Sequence, residues 1–353
     1  MNMSTDFVHA EFAMVTDLTS SAHMGDFQVD YGQTLFMCIL YIVIGSISML
    51  CSLTTITLYL SSRELRKKYI FYVVLDFCEF LDAVSYVLLG IGRGYGLIAG
   101  FIGTKITVHD CFYTKYWPHL LILGTELPSI CTLFLSFERI LAVTKPALYK
   151  RGCTQNFKYS LISMVPVFGI LTIIAAGLSV SGEAGERVVG TQHCAIITST
   201  GKYYATFHFI FIVASPIVSF VSTLTVWSTQ RVWKNLAKSK YGSQDNHLGM
   251  ILAMSGTSIL LLASPAIVML TIRWDIKDWG DIQVAITYAM PGCLSIVNTI
   301  IAFKFRKELR LQLLHLLGLG SKPHHQIEHS MFTRASSHFS SRSRGGLTNV
   351  QNI

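Results

Sequence analysis

Thr34 to Leu60 reads TLFMCILYIVIGSISMLCSLTTITLYL, 27 consecutive residues without a charged side chain. About 20 apolar residues in a helix cross the roughly 30 Å hydrocarbon core of a bilayer, so this stretch is long enough to span one. Six further apolar blocks follow, at 69–92, 117–143, 159–181, 204–229, 247–272 and 282–303. Backbone N–H and C=O groups in hydrocarbon must be satisfied within the protein, which leaves helices or closed barrels. Barrel strands run about ten residues with period-two alternation. These blocks are longer and do not alternate. The expected fold is therefore an all-α membrane protein, a seven-transmembrane helix bundle. Composition agrees, with 51% hydrophobic and only 14% charged residues, against about 25% charged in soluble domains.

Two blocks carry acids: the second holds Asp76, Glu79 and Asp82, and the third holds Glu126 beside Pro128. No internal repeat is visible, which speaks against an inverted-repeat transporter. The formal net charge of +8 does not point to nucleic acid. The cations lie between apolar blocks and in the C-terminal tail, where they suit an anionic inner leaflet and its lipids.

The charge distribution also orients the chain. The first 33 residues hold five acids and no Lys or Arg, and they lack the basic and apolar regions of a cleavable signal peptide. With the segments alternating sides, one side carries only Arg93, Lys105, Lys115, Arg187, Lys202, Arg273 and Lys277, and the other carries the remaining 21 of the 28 Lys and Arg residues. The positive-inside rule then puts the N-terminus outside. Asn2 begins an N-x-Ser glycosylation triplet on that side. The expected organisation is an extracellular N-terminus (1–33), a membrane domain (34–303), an amphipathic cytoplasmic helix (304–317) and a cytoplasmic tail (318–353). Phe305, Leu309, Leu313, Leu316 and Leu317 form the apolar stripe of that helix.

The third block ends in Phe137-Glu138-Arg139-Ile140-Leu141-Ala142-Val143-Thr144-Lys145-Pro146-Ala147-Leu148-Tyr149. By itself an Arg here can simply snorkel, with its stem in lipid and its head in water. The whole string, however, resembles the end of helix 3 and the second intracellular loop of rhodopsin-like G-protein-coupled receptors. Leu75 and Glu79, four residues apart in the second block, resemble that family's Leu-Asp pair in helix 2. Pro216 and Pro265 match its helix-bending prolines, and Asn298 matches the Asn of its seventh-helix motif.

The departures are specific. Ala263 stands where the family has Trp, Thr299 and Ala302 replace the seventh-helix Pro and Tyr, and the fourth block lacks its usual Trp. A proline occurs earlier, at Pro291. The pattern is similar in style to the nematode serpentine chemoreceptors. The resemblance implies a receptor for a small extracellular ligand, coupled to a heterotrimeric G-protein. It also implies a plasma-membrane location, with a sensory cilium as the specialised case. A neuropeptide-type receptor of the same superfamily is the nearest alternative. A seven-helix transporter or channel using the acids of the second block is a more distant one.

Residue roles follow from the same resemblance. Glu138 would hold Arg139 at rest and release it to the G-protein, with Pro146 in the adjoining loop. Glu79 and Asn298 would form an intramembrane polar or ion pocket; a protonated Glu79 bonded to helix 7 is the structural alternative. The ligand pocket would draw on Leu121, Thr125, Glu126, Phe209, Phe211, Met269, Tyr288 and Met290. Leu121 occupies the site of the aspartate in amine receptors, which argues against a monoamine. Glu126 is either a partner for a cationic ligand group or a structural, protonated acid. Cys111 and Cys194 are the two cysteines in outer segments, and the resemblance implies a disulfide between them. Pro216, Pro265 and Pro291 would kink their helices. Serines 336 to 343 sit among arginines in the tail, as a plain flexible segment or as a phosphorylation cluster for an arrestin-like partner. No Gly-rich phosphate loop, zinc motif or nucleophile elbow is visible, so neither an enzyme activity nor a cofactor or metal is expected.

Overall fold

The computed structural model describes residues 30–145, 147, 149, 155–237, 243–277, 279 and 281–319. Asn2, Pro146 and the tail serines lie outside the described residues. Helix α1 (Tyr31–Ser61) is followed by short α2 (Arg63–Lys68) and by α3 (Ile70–Ile98). Next come strand β1 (Ile106–Thr107), α4 (Val108–Thr114), α5 (Trp117–Thr144) and α6 (Gln155–Leu178). A connecting region holds α7 (Glu183–Glu186), β2 (Val188–Val189) and α8 (Ile196–Ser199). Helix α9 (Lys202–Ala237) leads to α10 (Ser243–Ser258), which a π-helical turn, Ile259–Ala263, joins to α11 (Ser264–Arg273). Helix α12 (Asp281–Ala289) joins α13 (Leu294–Phe305) through a 3₁₀ turn at Pro291–Cys293, and α14 (Lys307–Leu316) ends the described chain.

Local chemistry sets the boundaries. Asp30 caps α1, its carboxylate accepting from the N–H groups of Gly32 and Gln33. Pro118 sits in the first turn of α5, where a missing N–H costs nothing. The three expected kinks differ in the outcome. Pro265 follows the π-helical turn and Pro291 opens the 3₁₀ turn, places where a lost N–H is absorbed by a change of helix geometry. At Pro216 the helix runs on uninterrupted to Ala237.

Six helical stretches are long and apolar enough to cross a membrane: Tyr31–Ser61, Trp117–Thr144, Asn156–Ser179, Lys202–Val232, Leu248–Arg273 and Gln283–Phe305. Helix α3 has the length, at 29 residues, but Asp76, Glu79, Asp82 and Arg93 keep it out of that set. Only 28% of the most apolar window of α1 is buried within the protein. Phe36, Leu50 and Leu53 of α1, Ile170 and Leu171 of α6 and Leu260 face outward. Ser48, Ser52 and Thr55 of α1, Ser85, Ser136 and Ser219 face inward. Large apolar side chains outside and small polar ones inside are stable only where the surroundings are lipid. The chain is a helical multi-pass membrane protein.

Small residues draw the helices together. A Cβ on Gly45 would lie 2.8 Å from the Ala83 carbonyl oxygen, and one on Gly124 would lie 2.8 Å from Asp82 Cα. These contacts press α3 against α1 on one side and α5 on the other. Ser52 and Ser295 hydroxyls meet at 2.5 Å, tying α1 to α13.

The two ends of the bundle are built differently. At one end β1 and β2 pair antiparallel, Ile106 opposite Val189. Cys111 and Cys194 are joined in a disulfide there, with Cα atoms 5.4 Å apart. Cys111 lies not on α5 but on the separate α4. Arg93, an outer connection residue by sequence, is buried near the end of α3. Its Nε donates to the His193 carbonyl at 2.8 Å, and Trp117 Nε1 donates to the carbonyls of His193 and Cys194 at 3.2 Å. The loop bearing Cys194 is thereby clamped across the helix ends.

Candidate functional site

Glu138 and Arg139 lie in the last two turns of α5. The Glu138 side chain is 2% exposed and that of Arg139 23%. Arg139 Nε is 3.3 Å from Glu138 Oε2, without the alignment of a hydrogen bond. Two further partners converge on the other oxygen: Lys158 Nζ of α6 at 3.1 Å, and the Tyr149 hydroxyl, which donates at 2.6 Å. Burial pushes the Tyr149 phenol up, and its bond to the Glu138 carboxylate pushes it the same way. Glu138 is thus the hub of a three-partner cluster, and its bond to Arg139 is the least aligned of the three. These four residues line an open cleft of about 540 Å³ together with Glu64, Lys67, Lys68 and Tyr69.

Beneath the cleft sits a buried cation. Arg306, between α13 and α14, is 2% exposed. Its guanidinium carbon lies 3.6 Å from the ring centre of Tyr72, 4.1 Å from that of Tyr69 and 5.4 Å from that of Tyr59. Its Nη1 donates to the Tyr59 hydroxyl. Three aromatic faces replace part of the hydration that a buried cation loses. Helix α14 is tied down nearby. Glu308 accepts from Lys68 Nζ and from the Tyr69 hydroxyl, both at 2.8 Å, and Gln312 donates to Ser61 at 2.9 Å. Of the expected apolar stripe, Leu309 is buried and Leu313 partly so, while Leu316 and Leu317 are exposed. A sequence signal for Arg306 existed: Asn298, Ala302 and Arg306 recur every four residues, which places them on one helical face, and all three are buried.

Midway along the bundle, Asn298 Nδ2 donates to Glu79 Oε1 at 2.5 Å. The bond joins α3 to α13 and is common to the polar-pocket reading and to the structural alternative for Glu79. Asp76 and Asp82 are buried on either side of Glu79, and Asp76 Oδ2 and Asp82 Oδ1 have no hydrogen-bond partner among the described residues.

Toward the disulfide end lies a small cavity of about 30 Å³. Leu121, Thr125, Phe209, Met269 and Tyr288 line it, as do Ile196 from the disulfide-bearing loop and Pro265 and Pro291 at the two irregular turns. Glu126, Phe211 and Met290 do not. Glu126 lies behind the wall, fully buried, with Oε1 2.6 Å from His208 Nδ1 and 3.4 Å from the Tyr204 hydroxyl.

Thr125 donates its hydroxyl to the Leu121 carbonyl at 2.8 Å and lies 3.4 Å from His208 Nε2, so both ring nitrogens of His208 have a polar neighbour. Neither His208 nor Tyr204 was singled out from sequence, because each is an ordinary residue of an apolar block until the fold sets it against Glu126.

No protein-family model matches the chain, and no curated protein matches it. Among the described residues, no cluster of His, Cys, Asp and Glu has the geometry of a metal site.

Proposed function

We propose that the chain is a divergent rhodopsin-like receptor that binds a small ligand at its disulfide end and activates a heterotrimeric G-protein at its Arg139 end. Helix α3 is then a seventh span. Its three acids are turned into the protein, whereas Phe77, Ile91, Tyr95 and Ile98 face outward. A span can carry intramembrane acids where they face the bundle interior. The cation asymmetry puts the N-terminus outside and the Arg139 cleft in the cytosol, and a plasma-membrane location follows from that role.

The observation that carries the reading is the Glu138–Arg139 pair at the mouth of an open cleft. It is an arginine held by a poorly aligned contact, beside a space in which a protein segment can meet it. A bistable contact of this kind lets a partner that prefers the released arginine shift the whole equilibrium. Arg139→Ala should abolish stimulation of nucleotide exchange on a G-protein while leaving surface expression largely intact. Full retention of coupling by that variant would remove the basis of the reading. The transporter or channel alternative rests on the orphaned carboxylate oxygens of Asp76 and Asp82. It predicts instead an ion flux that Glu79→Ala abolishes and Arg139→Ala does not.

A further inference from the structure

The open cleft at the Arg139 end carries more positive charge than its own acids balance. Lys67, Lys68, Arg139 and Lys158 line it against two carboxylates, Glu64 and Glu138. Arg139 and Lys158 share Glu138, and Lys68 pairs with Glu308, which is not among the lining residues. Lys67 is exposed and makes no ion pair among the described residues. Arg139 Nε is buried and lacks a hydrogen-bond acceptor. The cleft therefore offers a guanidinium and three ammonium groups to an occupant that brings several acceptor oxygens at once. A guanidinium takes phosphate oxygens in a planar, bidentate fork, and ammonium groups add point charge around it. A single carboxylate would leave most of these donors unused.

Size and position narrow the occupant further. At about 540 Å³ the cleft has room for a sugar-sized polyanion, since small-molecule pockets run from about 300 to 1,000 Å³. Helix α2 lies between the end of α1 at Ser61 and the start of α3 at Ile70, where the chain leaves the bundle and re-enters it. Its Arg63, Arg66, Lys67 and Lys68 are all exposed, whereas Leu65 packs against the core. Phe157 and Tyr159, on either side of Lys158 in sequence, are exposed as well. Aromatic rings and cations at one level mark the depth of lipid headgroups. Clusters of about four to eight Lys and Arg beside a span attract the anionic lipids of the inner leaflet.

We infer that the cleft seats the polyphosphorylated headgroup of an inner-leaflet inositol phospholipid, with phosphate oxygens on Lys67, Arg139 and Lys158. Phosphate then replaces Glu138 as the partner of Arg139 and Lys158, while Tyr149 still donates to the Glu138 carboxylate. Headgroup and G-protein segment draw on the same arginine, so the lipid competes with coupling. That consequence deepens the receptor reading and rests on it; the binding does not.

The test is native mass spectrometry of the full-length chain in detergent. The probes are dioctanoyl phosphatidylinositol bisphosphate, dioctanoyl phosphatidylserine and soluble inositol trisphosphate. One bisphosphate lipid should be retained about tenfold more tightly than either of the others. Lys67→Gln should weaken it about fivefold, the worth of one cation beside an anionic headgroup. Arg310→Gln removes an equal charge from an exposed position on α14 outside the cleft, and it should bind as the wild type does. In nanodiscs with a G-protein, added bisphosphate lipid should suppress nucleotide exchange, and Lys67→Gln should shift that suppression to about fivefold higher lipid content.

Equal losses in Lys67→Gln and Arg310→Gln would show attraction to the basic surface as a whole and overturn the site. Equal retention of phosphatidylserine would overturn the polyphosphate class, and tightest retention of inositol trisphosphate would overturn the lipid source. Exchange that the bound lipid leaves unchanged or raises would overturn the competition. The binding measurements contain no G-protein, so failure of the Arg139 coupling variant leaves them untouched.

Discussion

Among single residues, the most consequential pair is Glu126 and His208, both fully buried. Removing one member strands the other's charge or polarity in an apolar core. His208→Leu should therefore cost about 3–5 kcal/mol of stability, and the double variant Glu126→Leu/His208→Leu should recover most of it. Thermal unfolding in detergent measures both, and a double variant no better than His208→Leu would mean that the pair is not coupled. His193 provides a pH-dependent counterpart outside the spans. Burial, reinforced by the nearby Arg93 cation, lowers its pKa from 6.5 to about 3. Between those values the unfolded chain holds a proton that the folded chain does not. The contribution of His193 is thus fully present above about pH 6.5 and is lost as the pH falls toward 3. The wild type should lose stability on acidification from pH 7 to pH 5, and His193→Asn should flatten that profile. Cys111→Ser and Cys194→Ser should behave alike, and the double variant should add nothing, because each removes the same bond. Additive losses in unfolding temperature would contradict this.

For single elements, α14 depends on the arginine just before it. Arg306→Leu removes the stacking on Tyr59, Tyr69 and Tyr72. Amide exchange across Lys307–Leu316 should rise markedly in that variant while α5 keeps its protection; unchanged exchange would show that Lys68, Tyr69 and Ser61 suffice to hold the helix. The sequence disclosed α14 itself through its apolar stripe, but not this dependence. The spacing of Asn298, Ala302 and Arg306 puts the arginine on the buried face, but the tyrosines that cage it come from other parts of the chain. The same limit applies at both ends of the bundle. The apolar runs made α1 and α5 legible, with expected starts at 34 and 117 against Tyr31 and Trp117 in the structure. The break that puts Cys111 on α4, and the extension of α3 past Arg93 to Ile98, depend on the loop carrying His193 and Cys194, nearly a hundred residues away. No local pattern encodes such a contact.

Over the whole molecule, periodicity and length disclosed a helical membrane bundle, and six helices meet the demands of a span on composition alone. The remaining long helix fails that measure because of Asp76, Glu79, Asp82 and Arg93, all of them buried. The grouping of Leu121, Thr125, Phe209, Met269 and Tyr288 came from the family resemblance, which also named Glu126, Phe211 and Met290, three residues that do not line the cavity. The contact of His208 with Glu126 and the cluster that Lys158 and Tyr149 form around Glu138 were not legible, since each joins segments that only the fold brings together. In the receptor account these features form one device, with a small apolar cavity at one end, whose wall includes Pro265 and Pro291 at the irregular turns, and a restrained arginine at an open cleft at the other. The restraint on Arg139 is its central claim, and the most direct measurement is ligand-independent nucleotide exchange on a G-protein by the full-length chain in nanodiscs, wild type against Glu138→Gln. Loss of the carboxylate charge should free Arg139 and raise basal exchange about tenfold, equivalent to about 1.4 kcal/mol of lost restraint, and Arg139→Ala added to it should abolish the gain; exchange that is unchanged in Glu138→Gln, or that survives the loss of Arg139, would contradict the account.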